Sequence, residues 1–129
     1  MDDNQIEIKR KRVFDPSESS DGLRVLVDRF WPRGIKKADL DYDVWAKDIT
    51  PSDELRRMFH ADPENHWNDF AEGYRRELQS SDAFTDFVNT ISAQHPQCVT
   101  LLYAFRNKER NHALILQEEL IRRLNEVHK

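Results

Sequence analysis

Asp28, Arg29, Trp31 and Arg33 crowd into six consecutive residues at the polar end of the run Val25-Leu26-Val27-Asp28-Arg29-Phe30-Trp31-Pro32-Arg33-Gly34. Guanidinium groups bind phosphate or carboxylate through charge-assisted, often bidentate hydrogen bonds. An indole can stack on a base, and an aspartate can act as a general base or hold a ribose hydroxyl. A second polar run, residues 106–112, adds Arg106, Asn111 and His112. Arg29, Arg33 and Arg106, with Trp31 as a wall and free backbone N–H groups at helix starts near Ser52 and Asn111, form a candidate anion site. Asp28 and His112 are the candidate catalytic residues, since an imidazole titrates near neutral pH. A helix N-terminus lowers that pKa and keeps the ring neutral. Each residue also has a purely structural reading. The arginines can pair with acids such as Asp28, Trp31 can cover the core, and Asn111 can cap a helix beside a structural histidine. With 20 basic and 24 acidic residues, structural ion pairs are abundant.

Positioning these groups requires strands that end together. Residues 25–28 form a short apolar run bounded by breakers, the pattern of a buried strand over about 24–28. Cys98-Val99-Thr100-Leu101-Leu102-Tyr103-Ala104 is a second such run. Residues 6–10 alternate apolar and polar, a strand with one buried face that extends through Val13. Residues 14–22 are rich in turn formers and read as a surface loop. Residues 35–41 read as a loop or short helix, and residues 42–47 as a third strand in chain order or a helical turn, with the strand favoured. Thr50-Pro51 marks a helix start, with Thr50 as N-cap, Pro51 at the first helical position, and Leu55, Met58 and Phe59 on its apolar face. Asp62-Pro63-Glu64 repeats that signal ahead of Trp67, Phe70, Ala71, Tyr74 and Leu78, the clearest amphipathic pattern in the chain. Ser80-Ser81-Asp82 opens a helix that buries Phe84, Phe87, Val88 and Ile91 and ends at His95-Pro96. A last helix begins between Asn107 and Asn111 and turns Ala113, Leu116, Leu120, Ile121 and Leu124 to the core.

Near-continuous apolar strands followed by helical sequence imply an α/β fold. The expected form is a single-domain, three-layer arrangement, a mostly parallel central sheet of about four strands flanked by helices. Right-handed crossovers then bring residues 28–34 and 103–112 to one edge of the sheet, where open α/β folds place ligands.

At 129 residues the chain is expected to be one domain over 1–129, with residues 1–5 disordered. The formal net charge of −4 speaks against broad nucleic-acid binding, which needs a basic face. One cysteine, Cys98, excludes an internal disulfide, fits a reducing cytosol and reads as a core residue. The polar N-terminus lacks a secretory signal and no apolar run approaches a membrane span, so the chain reads as cytoplasmic. Histidines 60, 66, 95, 112 and 128 lack zinc-type spacing, so no metal is expected. With three glycines, neither a P-loop nor a dinucleotide fingerprint can be present, and no G-x-S-x-G elbow exists. No cofactor is implied. Two functions stay open: a small-anion pocket, nucleotide-like in its chemistry, or a regulatory module that contacts a protein or nucleic acid through residues 28–34.

The run from Leu26 to Gly34, with Trp45-Ala46-Lys47-Asp48-Ile49-Thr50-Pro51-Ser52, Glu54-Leu55-Arg56, residues 70–78, Val99-Thr100-Leu101-Leu102-Tyr103-Ala104 and Asn111-His112-Ala113, resembles the YeaO-like proteins. This bacterial group is known as domain of unknown function 488. The resemblance covers roughly residues 6 to 124 and implies a small bacterial α/β protein without naming an activity. Where relatives more often read Ala-Arg-Asp, this chain has Phe105-Arg106-Asn107, so the resemblance assigns no acid at that point.

Overall fold

The computed structural model describes residues 5–127, and the expectation of disorder at the N-terminus falls mainly on residues 1–4, outside that range. Four parallel strands form one sheet, β1 (Glu7–Arg12), β2 (Leu23–Leu26), β3 (Val44–Trp45) and β4 (Cys98–Tyr103), in the order β1-β4-β2-β3. Four helices follow in sequence: α1 (Asp53–Ala61), α2 (Pro63–Gln79), α3 (Asp82–Gln94) and α4 (His112–Val127). This is the α/β class with an all-parallel sheet. β4 is buried along its whole length between β1 and β2, which explains why Cys98-Val99-Thr100-Leu101-Leu102-Tyr103 is apolar without alternation.

The two faces of the sheet are covered differently. Ile8, Val25, Val27, Val99, Leu101 and Tyr103 join buried residues of all four helices in the main core. Leu26 and Leu102 point the other way, into a smaller cluster with Val13 and Leu40, flanked by Trp31, Ile35 and Trp45. The helices therefore share one face, and the third layer is made of connecting segments with short 3₁₀ turns rather than helices. Chain direction accounts for this. The β1–β2 and β3–β4 connections cross the sheet in opposite senses, so two right-handed crossovers fall on opposite faces, and only the β3–β4 connection is long enough for helices.

The loop connection is anchored by a buried carboxylate. Asp21 is fully buried, with Lys11 Nζ 2.9 Å from its Oδ1 and Arg24 bonded to its Oδ2. Thr100 of β4 donates to the Asp21 carbonyl at 2.7 Å. Gly22 follows at φ 65°, and a Cβ there would stand 2.2 Å from the Cys98 carbonyl oxygen, so only glycine lets the loop lie against β4. Cys98 itself is buried, and burial pushes its thiol pKa up.

Several boundaries differ from the sequence reading. β2 ends at Leu26 because the ladder beyond it is completed by other groups. Val27 donates to the Leu102 carbonyl, the Asp28 carboxylate accepts from the Ala104 N–H, and the Trp45 indole N–H donates to the Asp28 carbonyl. α1 is capped by Ser52, whose hydroxyl accepts from the Leu55 N–H at 3.3 Å, and not by Thr50, which instead donates to the Lys47 carbonyl. On α4 the buried stripe includes Ile115, while Ile121 is exposed on the outer side. Strand 42–47 is real but contracts to Val44–Trp45. Among the described residues no helix is long and apolar enough to cross a membrane.

Candidate functional site

The C-terminal ends of β1, β2 and β4 open into a cleft of about 1090 Å³, closed on one side by α1 and the start of α2 and on another by the N-terminus of α4. Its polar floor is organised around the peptide of Ala104, one residue past β4. The Ala104 N–H donates to Asp28 Oδ2 at 3.0 Å, and its carbonyl accepts from Arg12 Nη2 at 2.9 Å. Asp28 Oδ1 in turn lies 2.9 Å from His112 Nε2, without the alignment of a hydrogen bond. Both side chains are mostly covered, and the imidazole packs edge-on against Tyr103. One peptide thus fixes an arginine, an aspartate and, through the aspartate, a histidine.

The walls are aromatic and cationic. Arg12 lies over the Phe14 ring at 4.9 Å, and Arg56 lies over the Phe30 ring at 4.8 Å. His60 stacks on Phe105 with ring centroids 5.7 Å apart, and Phe59 and Phe70 stack behind them. Partial burial, then the positive charge of Arg56 and the proximity of His112, hold the His60 pKa below its ordinary value, with Asp28 pulling the other way. Five arginines (Arg12, Arg29, Arg33, Arg56 and Arg106) face three acids (Asp28, Asp62 and Glu64) around the cleft, a local excess of positive charge on a chain of net charge −4.

Five buried side-chain polar atoms among the described residues lack a hydrogen-bond partner, and four of them belong to residues of this cleft. They are Arg12 Nε, Arg56 Nη1, Asp28 Oδ1 and His112 Nε2. Buried polar groups are normally satisfied, because leaving one without a partner costs about 1–3 kcal/mol. Four of the five still lie in ion pairs: Asp21 Oδ1 with Lys11, Asp28 Oδ1 with His112 Nε2, and Arg56 Nη1 with Asp53 at 3.8 Å, which leaves Arg12 Nε.

The residues singled out in the sequence divide into three groups. Asp28, Arg29, Trp31, Arg33, Arg106 and His112 all line the cleft, so the two polar runs do meet at one sheet edge. Within that set, Arg29 reaches Asp53 of α1 at 3.4 Å, and Trp31 donates to the Ile35 carbonyl and packs edge-on against Tyr42 and Trp45. These two hold the rim together, whereas Arg33 and Arg106 are exposed cations. Ser52 and Asn111 are not among the lining residues. The Ser52 N–H, at the start of α1, already bonds the Glu77 carboxylate at 3.0 Å, so an acid of the chain occupies the place of an external anion. Asn111 is buried, its Oδ1 capping Leu114 and its amide bonding the Asn107 carbonyl, which is the structural reading of that residue.

Sequence reasoning missed Arg12, Arg56, His60, Phe14 and Phe30. Arg12 carried a usable signal: it ends β1, and parallel pairing with β4 puts Arg12 opposite Tyr103 at the same edge. Arg56 and His60 carried none, because they reach the cleft only through the packing of α1. No group of His, Cys, Asp and Glu among the described residues is arranged to hold a metal ion.

Residues 7–129 match the model of a family described as the inactive DUF488-N3 subclade. The chain belongs to this family. It is 48% identical over 113 residues to "Uncharacterized protein YeaO" of Escherichia coli (strain K12), covering 88% of this chain and 96% of that one. It is 38% identical over 113 residues to "Uncharacterized protein Rv3073c" of Mycobacterium tuberculosis (strain ATCC 25618 / H37Rv), covering 88% and 92%. No solved structure matches. The family match agrees with the resemblance read from the run between Leu26 and Gly34, and its bacterial relatives agree with a bacterial protein.

Proposed function

We propose that this is a cytoplasmic, non-catalytic binding protein whose cleft holds a small anionic, nucleotide-like ligand. The observation that carries the reading is the convergence of five arginines against three acids around one concave cleft. Arg12 and Arg56 stand on opposite sides of that cleft, each guanidinium held over an aromatic ring. An anion is drawn to that local excess of positive charge, and a cleft of about 1090 Å³ has room for a ligand of nucleotide size. Stacking on Phe14 and Phe30 fixes both guanidinium planes before the ligand arrives, which lowers the ordering cost of binding. Exposed Arg33 and Arg106 attract the anion to the mouth.

The family's description as inactive supports binding without turnover. The Asp28–His112 pair then acts as a recognition element rather than as an acid and base. The concave shape favours a small ligand over a flat docking face, although Phe14 and Phe30, 52% and 63% exposed, give the rival reading of an interaction module its best support.

A thermal-shift panel of inorganic phosphate, nucleoside monophosphates, sugar phosphates and small carboxylates tests this reading, with phosphorus NMR of the mixtures to detect turnover. A ligand at a hundred times its Kd adds about 2.7 kcal/mol of stability. That is roughly 8–10 °C for a domain of this size. A shift with no new phosphorus signal is the expected result. No shift from any compound rejects the anion site, and appearance of product rejects the non-catalytic reading.

A further inference from the structure

We infer that the ligand of this cleft is a nucleotide, and that Phe30 is the platform on which its base stacks. The inference rests on the anion-binding reading and adds the part of the ligand that is not charged. Most of the phenylalanines and the tryptophan that line the cleft are already used by the fold. Phe59 stacks on Phe70 with ring centroids 4.4 Å apart, and Phe105 lies against both Phe59 and the His60 ring. Trp31 packs edge-on against Tyr42 and Trp45. Phe14 and Phe30 differ, since they line the same cleft with 52% and 63% of their surface exposed. A phenyl ring left this open contributes little to the core. Inside a concave site it offers a planar apolar surface to a ligand.

Phe30 is the more open of the two, and cations accompany it. The Arg56 guanidinium lies over its ring at 4.8 Å. Arg29 precedes it in the chain and exposed Arg33 follows three residues later, both lining the same cleft. A purely apolar guest gains nothing from those charges, and a bare phosphate gains nothing from the ring. A ligand that joins a planar ring to a phosphate engages both at once. Bases stack on aromatic side chains because every base has a π face, and a guanidinium held against such a ring adds a cation–π contribution. A cleft of about 1090 Å³ has room for base, sugar and phosphate together. Its concavity favours this small guest over a protein partner, which would need the exposed rings on a flat face. Stacking reads the flatness of a base and not its edge, so purine and pyrimidine nucleotides both bind, the larger ring more tightly.

Calorimetry with ribose 5-phosphate, cytidine 5′-monophosphate and adenosine 5′-monophosphate tests the inference. A stacked base is worth about tenfold or more in affinity, so adenosine 5′-monophosphate should bind at least that much more tightly than ribose 5-phosphate, with cytidine 5′-monophosphate between them. In Phe30→Leu, which keeps an apolar side chain and removes the ring, that ratio should fall towards one while the affinity for ribose 5-phosphate stays unchanged. Because Phe30 is mostly exposed, the variant should fold with an unchanged Tm. Phe14→Leu is the matched control: it removes the other open ring and should leave the preference for adenosine 5′-monophosphate intact. Equal affinity for adenosine 5′-monophosphate and ribose 5-phosphate in the wild-type protein overturns the inference while leaving the anion site standing. A preference that survives Phe30→Leu, or that excludes cytidine 5′-monophosphate, also overturns it, because the base then rests elsewhere or is read by its edge. If none of the three compounds binds, the anion-binding reading fails first and takes the stacking inference with it.

Discussion

Replacing Asp21 with asparagine should unfold the acid dependence of this protein's stability. The Asp21 carboxylate is fully buried. Burial alone would raise its pKa, but the Lys11 ammonium, the Glu18 N–H and the Arg24 guanidinium outweigh burial and bring it from 3.8 down to about 2. A carboxyl held low in the folded chain stabilises that state once it is ionised. The contribution is complete above pH 4 or so, the unfolded value, and disappears as the pH falls towards 2. A depression of this size corresponds to about 2 kcal/mol. Asp21→Asn loses more at neutral pH, because Lys11 and Arg24 remain largely buried cations without their carboxylate, and breaking one side of a buried pair costs about 3–5 kcal/mol. For this chain that is roughly 10 °C or more in Tm. Urea unfolding of both proteins at pH 7, 4 and 2.5 should show a gap that is largest at pH 7 and narrows in acid. A gap that stays constant across that range would refute the assignment of Asp21 as the charged anchor of the loop layer.

Other substitutions and titrations follow from the same contacts. Gly22→Ala should cost at least about 2 kcal/mol, since a residue with a Cβ meets both a positive φ and the Cys98 carbonyl; a Tm within error of wild type would show that the loop can move away. Trp31→Phe should destabilise by about 1–2 kcal/mol in urea, because it removes the indole bond to Ile35 and loosens the contacts with Tyr42 and Trp45. His60, held below its ordinary pKa, should titrate in NMR at lower pH than a free histidine. Because its folded pKa lies below the unfolded one, protonation disfavours the fold and its stabilising effect fades as the pH drops below about 6.5. Saturating phosphate should raise the His60 pKa, since an anion in the cleft favours imidazolium, whereas an unmoved resonance would place the anion away from Arg56.

The sheet edge was legible before the structure because two apolar runs each end in polar residues, and parallel strands carry such ends to the same side. Asp28, Arg33, Arg106 and His112 follow from that single rule. Ser52 and Asn111 were misplaced because a capping residue and a ligand-binding residue look alike in sequence. Only the packing of α2 reveals that Glu77 already fills the start of α1. The layer of connecting segments was also hidden, since nothing local states that the β1–β2 connection crosses opposite to β3–β4. Arg56 and Phe30 meet across α1 and the rim of β2, a contact between distant segments with no periodic signature.

The most direct test of the binding site is calorimetry of ribose 5-phosphate and inorganic phosphate against Arg12→Gln. Arg12 has a buried N–H with no acceptor, so its loss removes a desolvated charge along with the bond to Ala104. The ligand-free Tm should stay within about 2–3 °C of wild type. Affinity for both compounds should fall by about tenfold or more, the size expected for a lost charge-assisted bond. Undiminished affinity in a folded Arg12→Gln protein would contradict the assignment of this cleft as an anion-binding site built on Arg12.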